Sequence, residues 1–320
     1  MLFRSAQLVA VVDTVLKPTQ ELMDEFHVTH YGNLQEMLAR EQLDVVDVCT
    51  PSGMHGEHAC QVMRAGVNVI VEKPMEVSRA AIEEMLRVQQ ETGVKLAVIS
   101  QHRFDPDTIK VHDLVEAQAF GRLVLGNALI PWWRSQAYYD SGAWRGTWKL
   151  DGGGVLMNQS IHSIDLLQWL MGPVKSVCAY TDTLVHRMET EDVAVAILRF
   201  ANGALGTIAA TTDAYPGTGT RIEVHGDKGS VVIEDDRLSY LHLAQDDREQ
   251  RAPTAPAGPS AAQNPATLAI RSHALQIEDM MRAIRENGAP LVDGYAARHL
   301  VEIILGIYES ARTHQEVTLS

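Results

Sequence analysis

Lys73 stands in Val71-Glu72-Lys73-Pro74, directly after Val67–Val71, a run that reads as a buried strand. In doubly wound sheets, ligands lie beyond the carboxyl ends of the strands. A lysine placed there faces the crevice and can hydrogen-bond an oxygen on which negative charge develops. The proline after it fixes the backbone, and an X-Pro bond is the candidate for a cis peptide. The competing reading is a surface lysine before a turn proline, because E-K-P is a short motif. A second group runs from Asp151 to Asp165, DGGGVLMNQSIHSID, where a glycine run opens a helix. Asn158 and His162 are four apart, and His162 and Asp165 three apart, so the three share one helix face. That face can be a core histidine satisfied by hydrogen bonds, or it can hold a working base. Imidazole titrates near ~6.5 and suits proton transfer at neutral pH. Asn is a poor ligand for transition metals, so no metal site is expected. The glycine run could cradle a phosphate, but Gly-Gly-Gly alone is weak support.

A third group is aromatic and basic: Trp132-Trp133-Arg134, Tyr138-Tyr139-Asp140 and Trp144-Arg145. Flat rings stack on sugar or base faces, and Arg and Asp take hydroxyls or phosphates. Arg134, Tyr139, Trp144 and Arg145 are therefore candidate substrate residues, with Asn158 and Asp165 beside them. An aromatic core or a subunit interface has the same composition. His55 and His58 read as capping and packing at a helix start. Asp13 ends a strand at the place where an acid holds the ribose hydroxyls of NAD.

These residues need a scaffold. Gln7–Val12, Asp44–Cys49, Val67–Val71 and Lys95–Ser100 read as strands. They alternate with helices over Thr19–Phe26, Asn33–Arg40, His55–Arg64 and Ser78–Thr92, which argues a parallel sheet. After a helix at Pro106–Ala119 the pattern changes. Leu123–Ile130, Lys175–Thr183, Ala194–Phe200, Ala204–Thr212, Arg221–His225 and Ser230–Glu234 read as strands, with Asn202-Gly203 and Asp227-Lys228-Gly229 as hairpin turns. One helix, Met157–Met171, interrupts them. Arg251–Ala266 is Pro- and Ala-rich and reads as a loop. Helices over Ser272–Asn287 and Ala296–His314 close the chain. The expected fold class is thus α/β followed by α+β. Residues 1–119 are expected to form one domain and residues 120–320 the other, whose closing helices can pack back on the first.

The 320 residues suffice for about two domains. A formal charge of −14 disfavours nucleic-acid and membrane surfaces. Three cysteines without a C-x-x-C indicate neither a disulfide framework nor a zinc site and point to the cytoplasm. No apolar stretch approaches the ~18 residues of a membrane span, and the opening residues read as a strand rather than a signal peptide.

Taken together, the segments resemble the Gfo/Idh/MocA oxidoreductases, the family of glucose–fructose oxidoreductase and inositol dehydrogenase. The resemblance rests on V-V-D at Val11–Asp13, T-P at Thr50–Pro51 with His55 beyond, E-K-P at Glu72–Pro74, and G-G-G-x-x-x-N-x-x-x-H-x-x-D at Gly152–Asp165. It implies a nicotinamide-binding fold followed by an open-faced, mostly antiparallel sheet that carries substrate and often the oligomer interface. It also implies that Lys73 and His162 flank the reacting carbon, with Asn158 orienting one of them. Asp13, Thr50, Pro51, His55, Glu72, Lys73 and Pro74 are then the cofactor side, with NAD preferred over NADP on Asp13 alone. Much of the family has Asp where this chain has Asn158, which removes a carboxylate from the site. The wording from Tyr138 to His162 is most similar to the branch that oxidises nucleotide-linked amino-sugar uronates.

One departure stands out. The family's G-x-G-x-x-G, with its first strand and helix, does not occur ahead of Gln7. The first sheet is therefore expected to show an exposed edge or a gap at its switch point, and the start to be internal to a longer reading frame. The expected activity is hydride transfer from a secondary hydroxyl of a sugar, polyol or nucleotide-sugar to NAD, by a homodimer or homotetramer. Two rivals stay open: a ligand-binding homologue without chemistry, and an NAD-assisted glycoside-cleaving or epimerising relative. Whether Lys73 or His162 takes the proton is also open.

Overall fold

Strand–helix alternation builds a parallel sheet in the first third of the chain, but in two pieces. In the computed structural model, which describes residues 6–246, 248–251 and 270–319, the pieces are formed as follows. The chain runs β1 (Ala10–Val12), α1 (Leu16–Phe26), β2 (Thr29–Tyr31), α2 (Leu34–Arg40), β3 (Val45–Val48), α3 (His55–Arg64), β4 (Asn68–Val71), α4 (Arg79–Thr92) and β5 (Leu96–Val98). β1 and β2 pair in parallel as one sheet, and β3–β4–β5 pair in parallel as another. Among the described residues no strand joins them. The two sheets are separate, and Leu8, Val12, Val15 and Leu16 are exposed.

The helix starts follow from local chemistry. Asn33 Oδ1 accepts Glu36 N–H at 2.8 Å to open α2, and Ser78 Oγ accepts Ala81 N–H to open α4. Gly93, at φ 70°, closes α4 in the left-handed region that a side chain disfavours.

The rest of the chain contains α5 (Pro106–Glu116), β6 (Leu123–Pro131), α6 (Gln136–Asp140), α7 (Ile161–Met171), β7 (Val174–Asp182), β8 (Val193–Phe200), β9 (Leu205–Thr211), β10 (Arg221–Gly226), β11 (Gly229–Glu234), β12 (Arg237–Leu243), β13 (Arg248–Arg251), α8 (Ile270–Arg285), α9 (Gly294–Thr313) and β14 (Val317–Thr318). The nine strands from β6 onward form one sheet in the order β13-β12-β11-β10-β6-β9-β8-β7-β14, parallel only between β6 and β9. Along β8 the burial alternates: Ala194, Ala196, Leu198 and Phe200 point in, while Val195 and Ile197 point out. β7 and β9 repeat this period, so one face is packed and the other open.

The chain divides into two compact units, residues 1–99 with 276–295, and residues 100–275 with 296–320. The boundary thus falls after Ile99 rather than after residue 119. α5 groups with the second unit because it packs on α7 and β12, where Asp107 accepts Leu238 N–H at 2.9 Å. Residues 276–295 group with the first, where Met280 completes a core of Ile70, Ala97 and Ile99. The helix expected over Met157–Met171 is two structures. A π-helical turn, Val155–Gln159, precedes α7, and Ser160 N–H bonds back five residues to Val155. The expected loop over Arg251–Ala266 lies, apart from Arg251, outside the described residues. No helix is long and apolar enough to cross a membrane among the described residues.

Candidate functional site

In the first unit, β3 and β4 end side by side and deliver Thr50, Pro51, Glu72 and Lys73 to one edge. All four are partly open. The Lys73–Pro74 peptide is cis. His55 is not at that edge. Its ring is buried, with Nδ1 2.7 Å from the carbonyl oxygen of Pro74 and Nε2 2.7 Å from that of Thr50. It braces the two loops against each other, and both nitrogens are taken, which removes it from the cofactor-contact residues. His58 braces the same turn through Thr50 Oγ1, at 3.2 Å. The start of α3 is likewise closed. Gly56 N–H donates to the buried Glu76 carboxylate at 2.7 Å, and a Cβ on Gly56 would sit 2.8 Å from that oxygen. Asp13, partly open at the end of β1, accepts Val15 N–H at 2.8 Å. The open residues fit the nicotinamide end and a ribose of a dinucleotide, because they stand where parallel sheets present polar groups to one. No G-x-G-x-x-G turn for the pyrophosphate occurs in the 320 residues.

The second unit holds the asparagine–histidine pair. From Asp151 to Leu167 every residue is buried except Asn158 and His162. Asn158 Nδ2 donates to Asp151 Oδ1 at 2.9 Å, and Asp151 Oδ2 accepts Gly146 N–H at 2.9 Å. The His162 ring lies against Gln101, whose Nε2 is 3.4 Å from Nε2 of the imidazole. His102 meets it edge-on, with ring centroids 5.1 Å apart. His102 is itself hydrogen-bonded to Asp105 at 2.7 Å. Gln101 Oε1 is buried without a hydrogen-bond partner among the described residues.

Three expectations for this face change. Asp165 does not reach the open edge. It is 1% exposed and takes a forked ion pair from Arg103, with Nε at 2.7 Å from Oδ2 and Nη2 on Oδ1, plus the Ser100 hydroxyl. It is therefore neither a substrate group nor a metal ligand. The glycine run does not cradle an anion from outside. Gly154 N–H and Leu156 N–H donate to the carboxylate of Glu191 at 3.0 and 2.9 Å, and Val155 N–H to its carbonyl at 3.0 Å. A Cβ at Gly154 would lie 1.8 Å from that carbonyl oxygen, and one at Gly153 2.0 Å from the Tyr308 hydroxyl. The aromatic arm is largely packed. Tyr139 and Arg134 are both buried. The Tyr139 hydroxyl bonds Thr212 Oγ1 at 2.9 Å, and Arg134 stacks 4.9 Å over Trp132 with Nη1 donating to Trp133 O. They leave the candidate substrate contacts as core. Trp144 and Arg145 remain partly open. Arg145 stacks on Tyr138 and Trp144 and donates to the Tyr138 hydroxyl at 2.7 Å. It also borders a cavity of about 310 Å³ together with Asp140, Arg187, Met188 and Glu189.

Glu191, Tyr308, Gln101 and His102 escaped the sequence reading. Glu191 sits in a Glu-Thr-Glu-Asp run whose composition reads as a solvated loop. Two His/Asp/Asp groups, His102–Asp105–Asp236 and His186–Asp192–Asp213, bring ligand-type atoms close together. In the second, Asp192 already accepts the N–H groups of Leu184, Val185 and His186, so its carboxylate is committed to the backbone.

Burial pushes the Glu191 carboxyl up to about 7, and its hydrogen bonds from Leu156, Gly154 and Tyr308 only partly offset this. A carboxyl raised from the ordinary 4.5 favours the fold most below about 4.5 and loses that favour as pH rises to about 7. The protein is expected to lose stability across that window, and Glu191→Gln, neutral throughout, to flatten the loss. Urea midpoints measured from pH 4.5 to 7 check this; parallel curves for the two proteins would contradict it.

Comparison with known proteins gives the following. Residues 1–100 match the family model described as oxidoreductase family, NAD-binding Rossmann fold, and residues 108–232 match the GFO/IDH/MocA C-terminal domain. The WlbA dehydrogenase of Bordetella pertussis, solved with NADH and UDP-GlcNAcA, is 33% identical, covers 98% of this chain and 91% of its own, and superposes with a TM-score of 0.85. Inositol 2-dehydrogenase of Rhizobium meliloti (strain 1021) is 27% identical over 93% of this chain and 88% of its own length. Levoglucosan dehydrogenase of Pseudarthrobacter phenanthrenivorans is 26% identical over 79% and 75%.

Proposed function

We propose, for a chain that belongs to the Gfo/Idh/MocA oxidoreductase family, that it oxidises a secondary hydroxyl of a sugar, polyol or nucleotide-sugar. The observation that carries this reading is the burial pattern of residues 151–167, in which only Asn158 and His162 stay partly open. A packed face that keeps a base and an amide open has the makings of a reaction site. NAD would supply the hydride-accepting chemistry at this site. Thr50, Pro51, Glu72 and Lys73 would hold its nicotinamide end, and Asp13 a ribose. His162 takes the hydroxyl proton on its imidazole as the C–H bond breaks. Asn158, fixed by Asp151, offers its amide to orient the reacting groups. On the family resemblance, Lys73 would hydrogen-bond an oxygen that gains negative charge.

The substrate we favour is a nucleotide-linked uronate. Support comes from the 33% identity to the B. pertussis enzyme, whose complex contains UDP-GlcNAcA. The test is NADH formation with UDP-GlcNAcA, myo-inositol and levoglucosan in parallel. The nucleotide sugar is expected to have a kcat/KM at least about tenfold above the others. Parity among the three would sink the nucleotide branch, and no NADH with any would sink the dehydrogenase reading. In the same assay Lys73→Ala is expected to lower kcat by about a hundredfold or more. A rate close to wild type would take Lys73 out of the reaction.

We also propose that the open sheet face docks a second copy. Tyr180, Val195 and Leu129 continue across strands through Ala209, and Leu125 pairs with Leu205. Tyr180 is 71% exposed, and Val195, Ile197, Leu129, Leu125 and Leu205 are exposed too. A flat apolar strand face can meet its own two-fold image, as an isologous interface requires. Ile197→Asp would place charge in that contact and is expected to shift the protein from dimer or tetramer to monomer in sedimentation. An unchanged sedimentation coefficient would place the contact elsewhere. All three cysteines are free, which suits a cytoplasmic setting.

A further inference from the structure

The first turn of a helix has N–H groups with no partner inside the helix. In the turn that carries Asn158, three consecutive donors, from Gly154, Val155 and Leu156, all go to one residue on another segment. Glu191 takes two on its carboxylate and one on its carbonyl. The Tyr308 hydroxyl adds a fourth bond, 2.9 Å from Glu191 Oε1. Glu191 is 3% exposed and cannot trade these partners for water. The first bond within the turn, Asn158 N–H to Gly154 O, begins at the residue Glu191 holds.

We propose that Glu191 is a positioning residue: its carboxylate, anchored to Tyr308, sets the π-helical turn in the geometry that leaves Asn158 and His162 partly open. The proposal rests on the reading of those two residues as the reacting pair. Three features single out this contact. The carboxylate faces the positive end of the turn, where an anion is stabilised. The glycines ahead of the turn have no room for a side chain, because Glu191 O and the Tyr308 hydroxyl stand in the way. Asp151, which holds the Asn158 side chain, also acts on the Tyr308 hydroxyl through its charge. Tyr308 from α9 is the titratable side chain bonded to Glu191, and burial lifts its hydroxyl well above its ordinary value.

The test uses the whole folded protein and needs no ligand. In Glu191→Gln the amide nitrogen replaces one carboxylate oxygen, so one backbone donor loses its acceptor. Amides over residues 154–160 are then expected to exchange with solvent at least about tenfold faster at pH 8, while those over 165–171 keep their wild-type rates. The His162 ring C–H resonance, identified by its loss in His162→Ala, is expected to shift and to titrate at a different midpoint. Tyr308→Phe, which keeps both backbone bonds, guards against a variant that fails to fold. It is expected to move the same resonance in the same direction by a smaller amount. Glu191→Asp, which restores the charge, is expected to recover part of the protection. Wild-type exchange and an unmoved His162 resonance in Glu191→Gln and Tyr308→Phe would overturn the proposal. Turnover of His162→Ala reports separately: a wild-type rate there removes the reading of the pair and leaves the anchoring result standing.

Discussion

His162→Ala is expected to lower kcat by about a hundredfold to ten-thousandfold while leaving the fold intact. The size follows from what is removed. Oxidation of an alcohol needs the hydroxyl proton to leave as the hydride does, and water is a poor base for it at neutral pH. The fold should survive because the His162 ring is partly open and meets its neighbours at its edges, against Gln101 and His102. Single-turnover NADH formation gives the chemical step, and circular dichroism reports the fold. A folded variant with kcat within about threefold of wild type would mean that another group takes the proton. Gln101→Ala is a useful companion, since it removes the amide beside the ring and leaves the imidazole in place.

Arg103→Ala is expected to destabilise the protein by about 3–5 kcal/mol, because it leaves the Asp165 carboxylate buried without its cation. Arg103 and Asp165 are the two halves of one buried fork, with side chains 4% and 1% exposed. The guanidinium also lies 5.2 Å from the centre of the Trp169 ring, so its loss uncovers an aromatic face as well. Guanidinium denaturation measures the change. The pair Arg103→Met with Asp165→Leu should recover most of it, since two apolar groups leave no charge stranded. A single variant within about 0.5 kcal/mol of wild type would show that solvent reaches Asp165 in solution. The same fork ties Gln101 and His102 to α7, so activity should fall with stability.

What could be read from residues alone follows periodicity and capping. β4 is an apolar run broken only by Asn68 and stopping ahead of Glu72, α3 spans His55–Arg64 as its pattern says, and Asn33 and Ser78 sit at helix starts as their chemistry demands. The outer sheet's alternation and its Asn202-Gly203 turn were equally plain. β2 is three residues long, too short for a period to register. β12 follows Asp235-Asp236, both at positive φ, a turn without the glycine that normally announces one. The π-turn is invisible because one extra residue barely disturbs an apolar pattern that is buried on every side. Asn158 and His162 stand out in the sequence as polar residues in an apolar run, and Lys73 as a charge just after a buried strand. Asp165 and His55 carried the same signal for another reason, a buried ion pair and a loop brace. Glu191 lacked any signal, because what marks it is the backbone it holds.

The close approach at the glycine turn also bears on which sequences the chain can reach by single steps. A methyl group on Gly153 would collide first with the Tyr308 hydroxyl and then with Met157 Cβ at 2.8 Å, so a change at position 308 relieves the worst overlap. A methyl on Gly154 would collide with the main-chain carbonyl of Glu191, which no substitution at position 191 can delete. The two glycines therefore have different histories open to them. Replacement of Gly153 loses its worst overlap, though not the one with Met157, in a background that has first altered the closing helix. Gly154 is closed in every background that keeps the loop where it is.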